Sequence, residues 1–563
     1  MSSLAKLKSC SSRSDLAKLL EIELKHFTYL LYGLSDSEKY FEFSIPKKTG
    51  GLREIVAPID ELKDLQKKLS NILQECLSEI EAKSSRKSPS HGFKKERSII
   101  TNAKSHTRKR YVINIDLENF FHTFNFGRVR GFFLTNKHFE LNEEVSTSIA
   151  QIACYKRHLP QGAPSSPVIT NLICNILDVR LSNLAKKNKC KYSRYADDIT
   201  FSSRSKVISK ELVRQENHKW SVSGKLKKEI KRADFIVNDK KTRVQYKNSK
   251  QDVTGLVVNE KISIPSKYWR TVRAMVNNLL YCGHFTITKR VLEEEELKEV
   301  KIEGKIEQLN GMLSYIDSVD LHNAKKGSVQ VDLNQRERTY RDFLYFNKFY
   351  ANNKPTIICE GKTDHVYLRC ALKKQYQDHN ILIEKSGDDL VSKVSFYKYT
   401  ELETRLLGVT GGSSLLKAFI ANYPKVIRKF SVPASNNPVI ILIDNDKGAK
   451  EIFSQIKSIT DSRSTIDGSE LFYKLYDNFY VIATPAEKGK MSMIENFFPK
   501  SLLKTELGGK TLELDEKKFD KSKHYGKAYF ADRVIAPNYK KIDCSEFSKI
   551  FYRIEAAIRD SRR

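Results

Sequence analysis

The sequence has little with which to build a membrane span, a disulfide framework or a zinc site. No stretch of its 563 residues approaches the roughly 18 apolar side chains needed to cross a bilayer. No apolar segment follows Lys6 and Lys8, so a secretory leader is not expected. The nine cysteines, at 10, 76, 154, 174, 190, 282, 359, 370 and 544, are odd in number, and no two have C-x-x-C spacing. They form no zinc pattern with the twelve histidines and read as reduced thiols of a cytoplasmic protein. With only 24 Gly and 14 Pro, collagen-like and low-complexity chains are excluded. Acidic residues are the other shortage: 68 Asp and Glu face 99 Lys and Arg, a net charge of +31. Such an excess repels itself unless a polyanion is near. Nucleic acid is therefore the first partner to expect, and a membrane surface the second.

A hydrophobic content of 40% is enough to bury real cores. At about 100–200 residues per domain, the length predicts three to five domains. The charge is uneven. Residues 1–350 carry 63 basic and 41 acidic side chains, a net of +22, and residues 351–563 carry 36 and 27, a net of +9. Residues 1–40 read as helical, with Ser14 or Asp15 as a capping candidate. Residues 41–57 read as two strands about a Thr-Gly-Gly turn, 60–82 as a helix, 111–117 as a strand, 165–188 as an apolar helix and 191–203 as a hairpin. Residues 265–320 read as mostly helical. After the linker candidate NNKP (352–355), short β runs alternate with helices: TIICE, ILIEK, PVIILID and FYVIAT. That alternation predicts a parallel α/β domain.

Two constellations carry chemistry. In RYVINIDLENFF (110–121), period two places Val112, Asn114 and Asp116 on one face, so Asp116 ends a buried strand, where an unpaired carboxylate is costly. In KYSRYADDITFSS (191–203), Asp197 and Asp198 stand between two β-prone runs and repel each other. Alone, such a pair reads as a solvated turn. With Asp116 alongside, three carboxylates suit two Mg²⁺ ions and in-line phosphoryl transfer.

These segments resemble the reverse transcriptases, and within them the retron and group II intron branch. YADD at 195–198 is similar to the palm motif, Asp116 with Phe120-Phe121 to the preceding one, LPQGAPSSP (159–167) to the segment between, and IPKKTGGLREI (45–55) to the fingers hairpin. The resemblance covers roughly residues 40–260. It implies a right-hand polymerase fold, with an N-terminal helical region at 1–40, fingers and palm at 41–264, and a helical thumb and connector at 265–350. It implies Asp116, Asp197 and Asp198 as catalytic metal ligands, and Lys48 and Arg53 as holders of the incoming triphosphate. Phe121 would lie under the sugar, where a ring excludes a 2′-OH, with a core aromatic as its plainer reading. Gln161 and Gly162 would line the dNTP pocket, and Lys241 would lie near the leaving pyrophosphate. Asn102-Ala-Lys-Ser-His106 resembles the NAxxH motif of retron enzymes, and Val253-Thr254-Gly255 their VTG motif; these regions would recognise the enzyme's own RNA. Lys267, Arg270 and Arg273 fit a thumb along a duplex.

The second constellation lies at strand ends. PTIICEGKTD (355–364) ends an apolar run on Glu360-Gly361, and PVIILIDNDKG (438–448) ends one on Asp444-Asn445-Asp446. Continuous apolar runs read as central parallel strands, and sites form beyond the carboxyl ends of such strands. Glu360, Asp444 and Asp446 offer hard oxygen ligands for Mg²⁺ or Mn²⁺. The pattern resembles the Toprim domain of topoisomerases, primases and several nucleases, over about residues 354–500. Asp364, Gly411-Gly412 and Glu495 are further candidates, read equally well as a helix cap, a loop turn and a solvated carboxylate. Residues 501–563 read as a basic C-terminal extension.

The expected whole is therefore an α/β and α+β multidomain protein: a polymerase hand followed by a Rossmann-like parallel-sheet Toprim domain. As a cytoplasmic, bacterial retron reverse transcriptase it would use dNTPs to copy a cognate structured non-coding RNA into a branched RNA–DNA product. The fused nuclease would act in defence against phage, on RNA somewhat rather than DNA, and be restrained by the bound product. No membrane partner is expected, and a homo-oligomer is left open. The competing readings are a mobile-element reverse transcriptase and a Toprim portion that only binds nucleic acid.

Overall fold

The computed structural model describes every residue except 48–50, 218, 294–295, 325–331, 488–489 and 516, and of 292, 293, 296 and 297 the backbone alone. The chain divides into two compact units. The first comprises Met1–Arg270, Thr288–Ile302 and Tyr315–Ser328, and the second Thr271–Ile287, Glu303–Ser314 and Val329–Arg563. The stretch 265–350 is thus shared between the units rather than forming a domain of its own. Among the described residues, no helix is long and apolar enough to cross a membrane.

The first unit opens with short helices, including Ser3–Lys8 and Arg13–Leu19. The cap of the latter is Ser12, with Asp15 closing a capping box, rather than Ser14 or Asp15 itself. Strands β1 (Tyr40–Pro46) and β2 (Leu52–Pro58) pair antiparallel, with Ile45 opposite Arg53. The turn that carries Lys48 lies outside the described residues. The helix Asp60–Ala82 buries Leu62, Leu65, Leu69, Leu73 and Cys76, the three-and-four spacing of an amphipathic face.

The central sheet of this unit has the order β4-β5-β3-β8 and is antiparallel throughout, built from β3 (Tyr111–Leu117), β4 (Lys191–Tyr195), β5 (Asp198–Ser203) and β8 (Val237–Tyr246). Strands β6 (Val213–Glu216) and β7 (Lys219–Val222) make a separate hairpin, as do β9 (Asp252–Val253) and β10 (Leu256–Val257). The apolar side chains of β3 share one core with the helices Phe126–Thr135, Glu143–Ala153, Ser166–Ile173 and Asn175–Lys187. The single helix expected over 165–188 is two helices meeting at Cys174.

The mostly helical reading of 265–320 needs correction. Between the helices Ser266–Cys282 and Ile306–Asn323 lies a two-stranded sheet, β11 (Thr286–Glu293) with β12 (Glu296–Glu303). Thr286, Ile287, Thr288 and Val291 are β-branched and favour strand. Arg290 also pairs across to Glu299 at 2.7 Å, a bond that the local periodicity does not reveal.

The second unit has a five-stranded sheet of order β16-β13-β17-β19-β18. Strands β13 (Thr356–Cys359), β16 (Ser395–Phe396), β17 (Val439–Ile443) and β19 (Phe479–Ala483) run parallel, and β18 (Tyr473–Tyr476) closes the edge antiparallel to β19. Every residue of β13, β17 and β19 is buried, as expected for strands covered on both faces. ILIEK is the exception to the predicted alternation. It forms β14 (Ile383–Ser386), which hairpins with β15 (Asp389–Ser392) outside the sheet. Residues 501–563 are not an appendage. Tyr525, Phe530, Phe547, Phe551, Ile554 and Ile558 share one hydrophobic core with Ile357, Ile440, Leu442 and Ile482 of the sheet.

Candidate active sites

Register brings the first three carboxylates together. Asp116 at the end of β3 lies directly opposite Asp198 at the start of β5, and Tyr195 pairs with Asp198 across a two-residue turn of Ala196 and Asp197. Burial, followed by repulsion from Asp197 and Asp116, pushes the Asp198 carboxyl up to about 6. Burial and the neighbouring Asp116 also raise Asp197, while Lys241 and Arg53 pull it back. The Lys241 ammonium donates to both Asp116 oxygens at 3.0 Å. Lys241, expected near a leaving group, is here the counter-charge of the carboxylates. Among the described residues, no three His, Cys, Asp or Glu side chains converge into a ready metal cage. The donor chemistry, three neighbouring carboxylates of which only Asp116 is paired with an ammonium, fits a hard divalent cation.

The turn is held from behind by residues that sequence reasoning missed. Ala196 has φ 54°, a left-handed conformation that costs a non-glycine residue about 1–3 kcal/mol. Its carbonyl accepts from Arg194 Nη1 at 3.1 Å. Arg194 is wholly buried, and its guanidinium also grips both oxygens of Asp178 at 2.9 Å and Oδ1 of Asn171 at 3.2 Å. Tyr192 donates to Asp178 at 2.7 Å. The backbone N–H of His91 donates to the Arg194 carbonyl at 2.8 Å, and a Cβ on Gly92 would stand 2.7 Å from the Ala196 nitrogen. Gly92 thus allows this segment to press on the turn.

The remaining expected nucleotide contacts lie in the same unit. Gly162 has φ 134°, and an added Cβ would meet the Val56 carbonyl oxygen at 2.8 Å. Val56 N–H donates to the Gln161 carbonyl at 3.0 Å, so the Gln161-Gly162 loop docks on β2, the strand that carries Arg53. Phe121 is half-buried and set edge-on to Phe120, which stacks on Phe235 in the core.

The NAxxH and VTG residues are brought together, most of them beneath the surface. Asn102, His106 and Val253 are all 0% exposed. This corrects their expected role as direct RNA contacts. Ser193 Oγ donates to Asn102 Oδ1 at 2.5 Å. His106 Nε2, 2.7 Å away, must therefore donate to Ser193, and Nδ1 accept from Ser202 at 2.7 Å. Asn102 Nδ2 reaches Thr254 Oγ1 at 3.5 Å, and Thr254 donates to the Ile99 carbonyl at 3.3 Å. Thr254 and Gly255, with φ 46° and 82°, form the β9–β10 turn. Gly255 is exposed and Thr254 half-buried. The motifs are a clasp within the fold.

The clasp makes stability depend on pH. Burial, then the positive charge of Lys109, pushes the His106 ring down to about 3, whereas an unfolded histidine titrates near 6.5. Below about pH 6.5 the unfolded chain therefore takes up a proton that the folded chain refuses. Stability falls by about 1.4 kcal/mol per pH unit as acid is added, until the folded ring itself titrates. Both tryptophans, Trp220 and Trp269, lie in the first unit, so urea unfolding followed by their fluorescence reports on it. His106→Gln is expected to flatten this slope between pH 6.5 and 5, leaving the share due to His91, which burial lowers to about 4, and to His138 and His322, which burial also lowers. An unchanged slope would refute the assignment.

In the second unit, Glu360 follows β13 and Asp444 follows β17. The Asp444 N–H donates to Glu360 Oε2 at 3.1 Å, and Asp444 Oδ1 accepts from Ile494 N–H at 2.8 Å. Asp446 Oδ1 accepts from Gly448 N–H at 2.7 Å and from Ala449 N–H at 3.3 Å, where the helix Ala449–Thr460 begins. Asp364 is 3% exposed; its Oδ2 accepts from Gly361 N–H at 2.7 Å, and its Oδ1 has no partner. Burial, then Asp364 and Glu495, push Asp444 up to about 8. Burial also raises Glu360. Glu495 is wholly buried rather than solvated, and Lys527 pairs with it at 2.9 Å. Gly411-Gly412 packs on the Glu360 backbone, with Gly412 N–H donating to the Glu360 carbonyl at 3.1 Å. Lys527, from the stretch read as an extension, is the residue missed here. An orphaned carboxylate oxygen among hard oxygen donors fits a divalent cation.

Residues 45–258 match the family described as reverse transcriptase (RNA-dependent DNA polymerase). The first unit thus has the fold class of a template-directed polymerase. Among curated relatives, the Retron Ec86 reverse transcriptase of Escherichia coli is 33% identical over 311 residues, 54% of this chain and 84% of that protein. The Retron Mx162 reverse transcriptase of Myxococcus xanthus is 31% identical over 341 residues, 56% of this chain and 65% of that one. A telomerase structure from Candida albicans, in complex with a fragment of telomeric RNA, has a TM-score of 0.30 and 11% identity over 70% of this chain and 66% of that one, too distant to carry an argument. The chain belongs to the retron reverse transcriptase family.

Proposed function

We propose that the first unit is an RNA-directed DNA polymerase that copies a cognate structured non-coding RNA into a branched RNA–DNA product. We propose further that the second unit is a Toprim nuclease restrained by that product in defence against phage. The observation that carries the polymerase reading is the register placing Asp116 opposite Asp198, with Asp197 in the turn between. Asp116, Asp197 and Asp198 would hold two Mg²⁺ ions, which when bound neutralise the phosphate and activate the primer hydroxyl. Arg53 and Lys48 hold the triphosphate, Arg as a fork and Lys as a point charge. Gln161 and Gly162 shape the pocket floor through their seat on β2, and Phe121 excludes a 2′-OH. Lys241 leaves Asp116 for phosphate when the nucleotide arrives.

The nuclease reading is supported by the placement of Glu360, Asp444 and Asp446, the candidate ligands for Mg²⁺ or Mn²⁺, after the parallel strands β13 and β17, and by the unpartnered Asp364 Oδ1. RNA is the favoured target. Expression of the gene with its flanking DNA, followed by debranching of co-purified nucleic acid, tests the first part. A self-primed branched product supports it, and product joined only to an external primer sinks it. In a phage challenge, Glu360→Gln with Asp444→Asn should abolish growth arrest while leaving DNA synthesis intact. Arrest at the unaltered level would leave the second unit as a binding module.

A further inference from the structure

Asn102, His106 and Val253 are buried, but the clasp they form ties together loops that reach the surface. The loop after His106 and the loop after Gly255 meet: Arg108 N–H is shared between the carbonyls of Val258 and Asn259, at 3.2 Å each. Asn259 Nδ2 donates to the carbonyls of Lys247 and Ser249, at 3.1 and 2.8 Å, and its Oδ1 accepts from Gln251 N–H at 2.9 Å. Three loops are thereby laced into one wall. Arg110 and Lys247 join through backbone, with Lys247 N–H donating to the Arg110 carbonyl at 2.8 Å, and Arg110 N–H donates to Ser203 at 2.8 Å.

These loops enclose a cavity of about 460 Å³ lined by Arg108, Lys109, Arg110, Arg204 and Lys247, with Tyr246 beside them. Asn248 and a single carboxylate, Glu260, complete the lining. Arg108 Nε donates at 3.2 Å to the backbone carbonyl of Glu260 rather than to its carboxylate. Burial, then repulsion from Arg204 and Lys191, lowers the Lys109 ammonium. Tyr246 is 45% exposed and leans on Trp220, a ring platform next to the charges. The cavity lies at the far end of the sheet. Arg110 precedes β3, Asp116 nearly ends it, and six residues at about 3.4 Å each put them roughly 20 Å apart. An incoming nucleotide bound at the carboxylates does not reach it.

We propose that this basic pocket binds the phosphate backbone of an unpaired or sharply turning stretch of RNA, with Tyr246 stacking a base. Phosphate contacts fix register, and a stacked unpaired base discriminates a loop from a duplex. The inference rests on the RNA-binding reading above.

The test uses the full chain and the transcript of the DNA flanking its gene. Arg204→Gln with Lys247→Gln, and separately Tyr246→Ala, are compared with wild type in filter binding at several salt concentrations. DNA synthesis on a generic annealed primer–template serves as the control for fold and chemistry. The charge variant should bind the transcript about ten- to a hundredfold more weakly, with a salt slope smaller by about two. Tyr246→Ala should bind several-fold more weakly with an unchanged slope. Synthesis on the generic duplex should stay within about twofold. Unchanged affinity and slope in both variants would overturn the pocket. So would an equal loss for single-stranded DNA of the same sequence, which would assign the pocket to the product strand, or full competition by millimolar inorganic phosphate, which would make it a free-anion site. A wild-type chain that ignores the transcript defeats the RNA-binding reading itself.

Discussion

Replacing Asp197 and Asp198 together by asparagine should reduce DNA synthesis at least about a thousandfold, the order of loss when groups acting as one catalytic unit are removed. Asparagine keeps the shape of each side chain, removes its charge and replaces one acceptor oxygen with an NH2 donor. The same change should not weaken the fold. Burial raises both carboxyls, with repulsion from Asp116 on Asp197 and from Asp197 and Asp116 on Asp198, so the charged cluster strains the native state, and neutral amides relieve that strain. Primer extension on an annealed RNA template reads the first effect, and urea unfolding at pH 7 the second. Synthesis above a tenth of wild type would refute the assignment of these aspartates. A clear loss of stability would refute the account of their electrostatics.

Arg194→Leu should destabilise the first unit by about 3–5 kcal/mol, because it leaves the Asp178 carboxylate buried with its cation gone. Adding Asp178→Leu removes the stranded charge, and a buried ion pair replaced by apolar side chains is commonly neutral or better. The double variant should therefore recover most of the lost stability. It should not recover synthesis. The Ala196 carbonyl would still lack its donor, and the left-handed turn that aims Asp197 would be free to relax. The expected pattern is a restored unfolding midpoint with synthesis still reduced tenfold or more. A double variant as active as wild type would mean that Arg194 only fills and charges the core, with no hold on the turn.

Arg194 also shows where sequence reading runs out. The strand–turn–strand of KYSRYADDITFSS and the buried strand ending in Asp116 are local patterns, so the three aspartates were legible together with their elements. Arg194 sits in that same segment, and alternation alone gives it no distinction. Its partners Asp178 and Asn171 lie on two helices, and only tertiary packing brings them near. His106 misled for the same reason. A polar residue in a recognised motif reads as a contact, and nothing local announces that Ser193 and Ser202 will close over it. The strands β13, β17 and β19 of the second sheet were legible from their apolar runs, but its edge strands β16 and β18 were not, and β14, whose half-polar sequence suits a hairpin as well as a sheet strand, lies outside it. The pairing of β11 with β12 was hidden because charged side chains on both strands match helix and hairpin alike. Lys527 was unreadable, since its significance depends on Glu495, more than thirty residues earlier in the chain.

The entanglement of residues 525–558 with the second sheet has a consequence for order in time. The first unit is complete once residue 328 has been made, but the core of the second cannot close until Ile558 is delivered. At about 5–20 residues per second, the ribosome leaves an interval of roughly ten to fifty seconds between them. During that interval the polymerase hand can fold and meet nucleic acid while its neighbour is still an open chain without Lys527. The order of synthesis thus finishes the first unit well before the second can close its core.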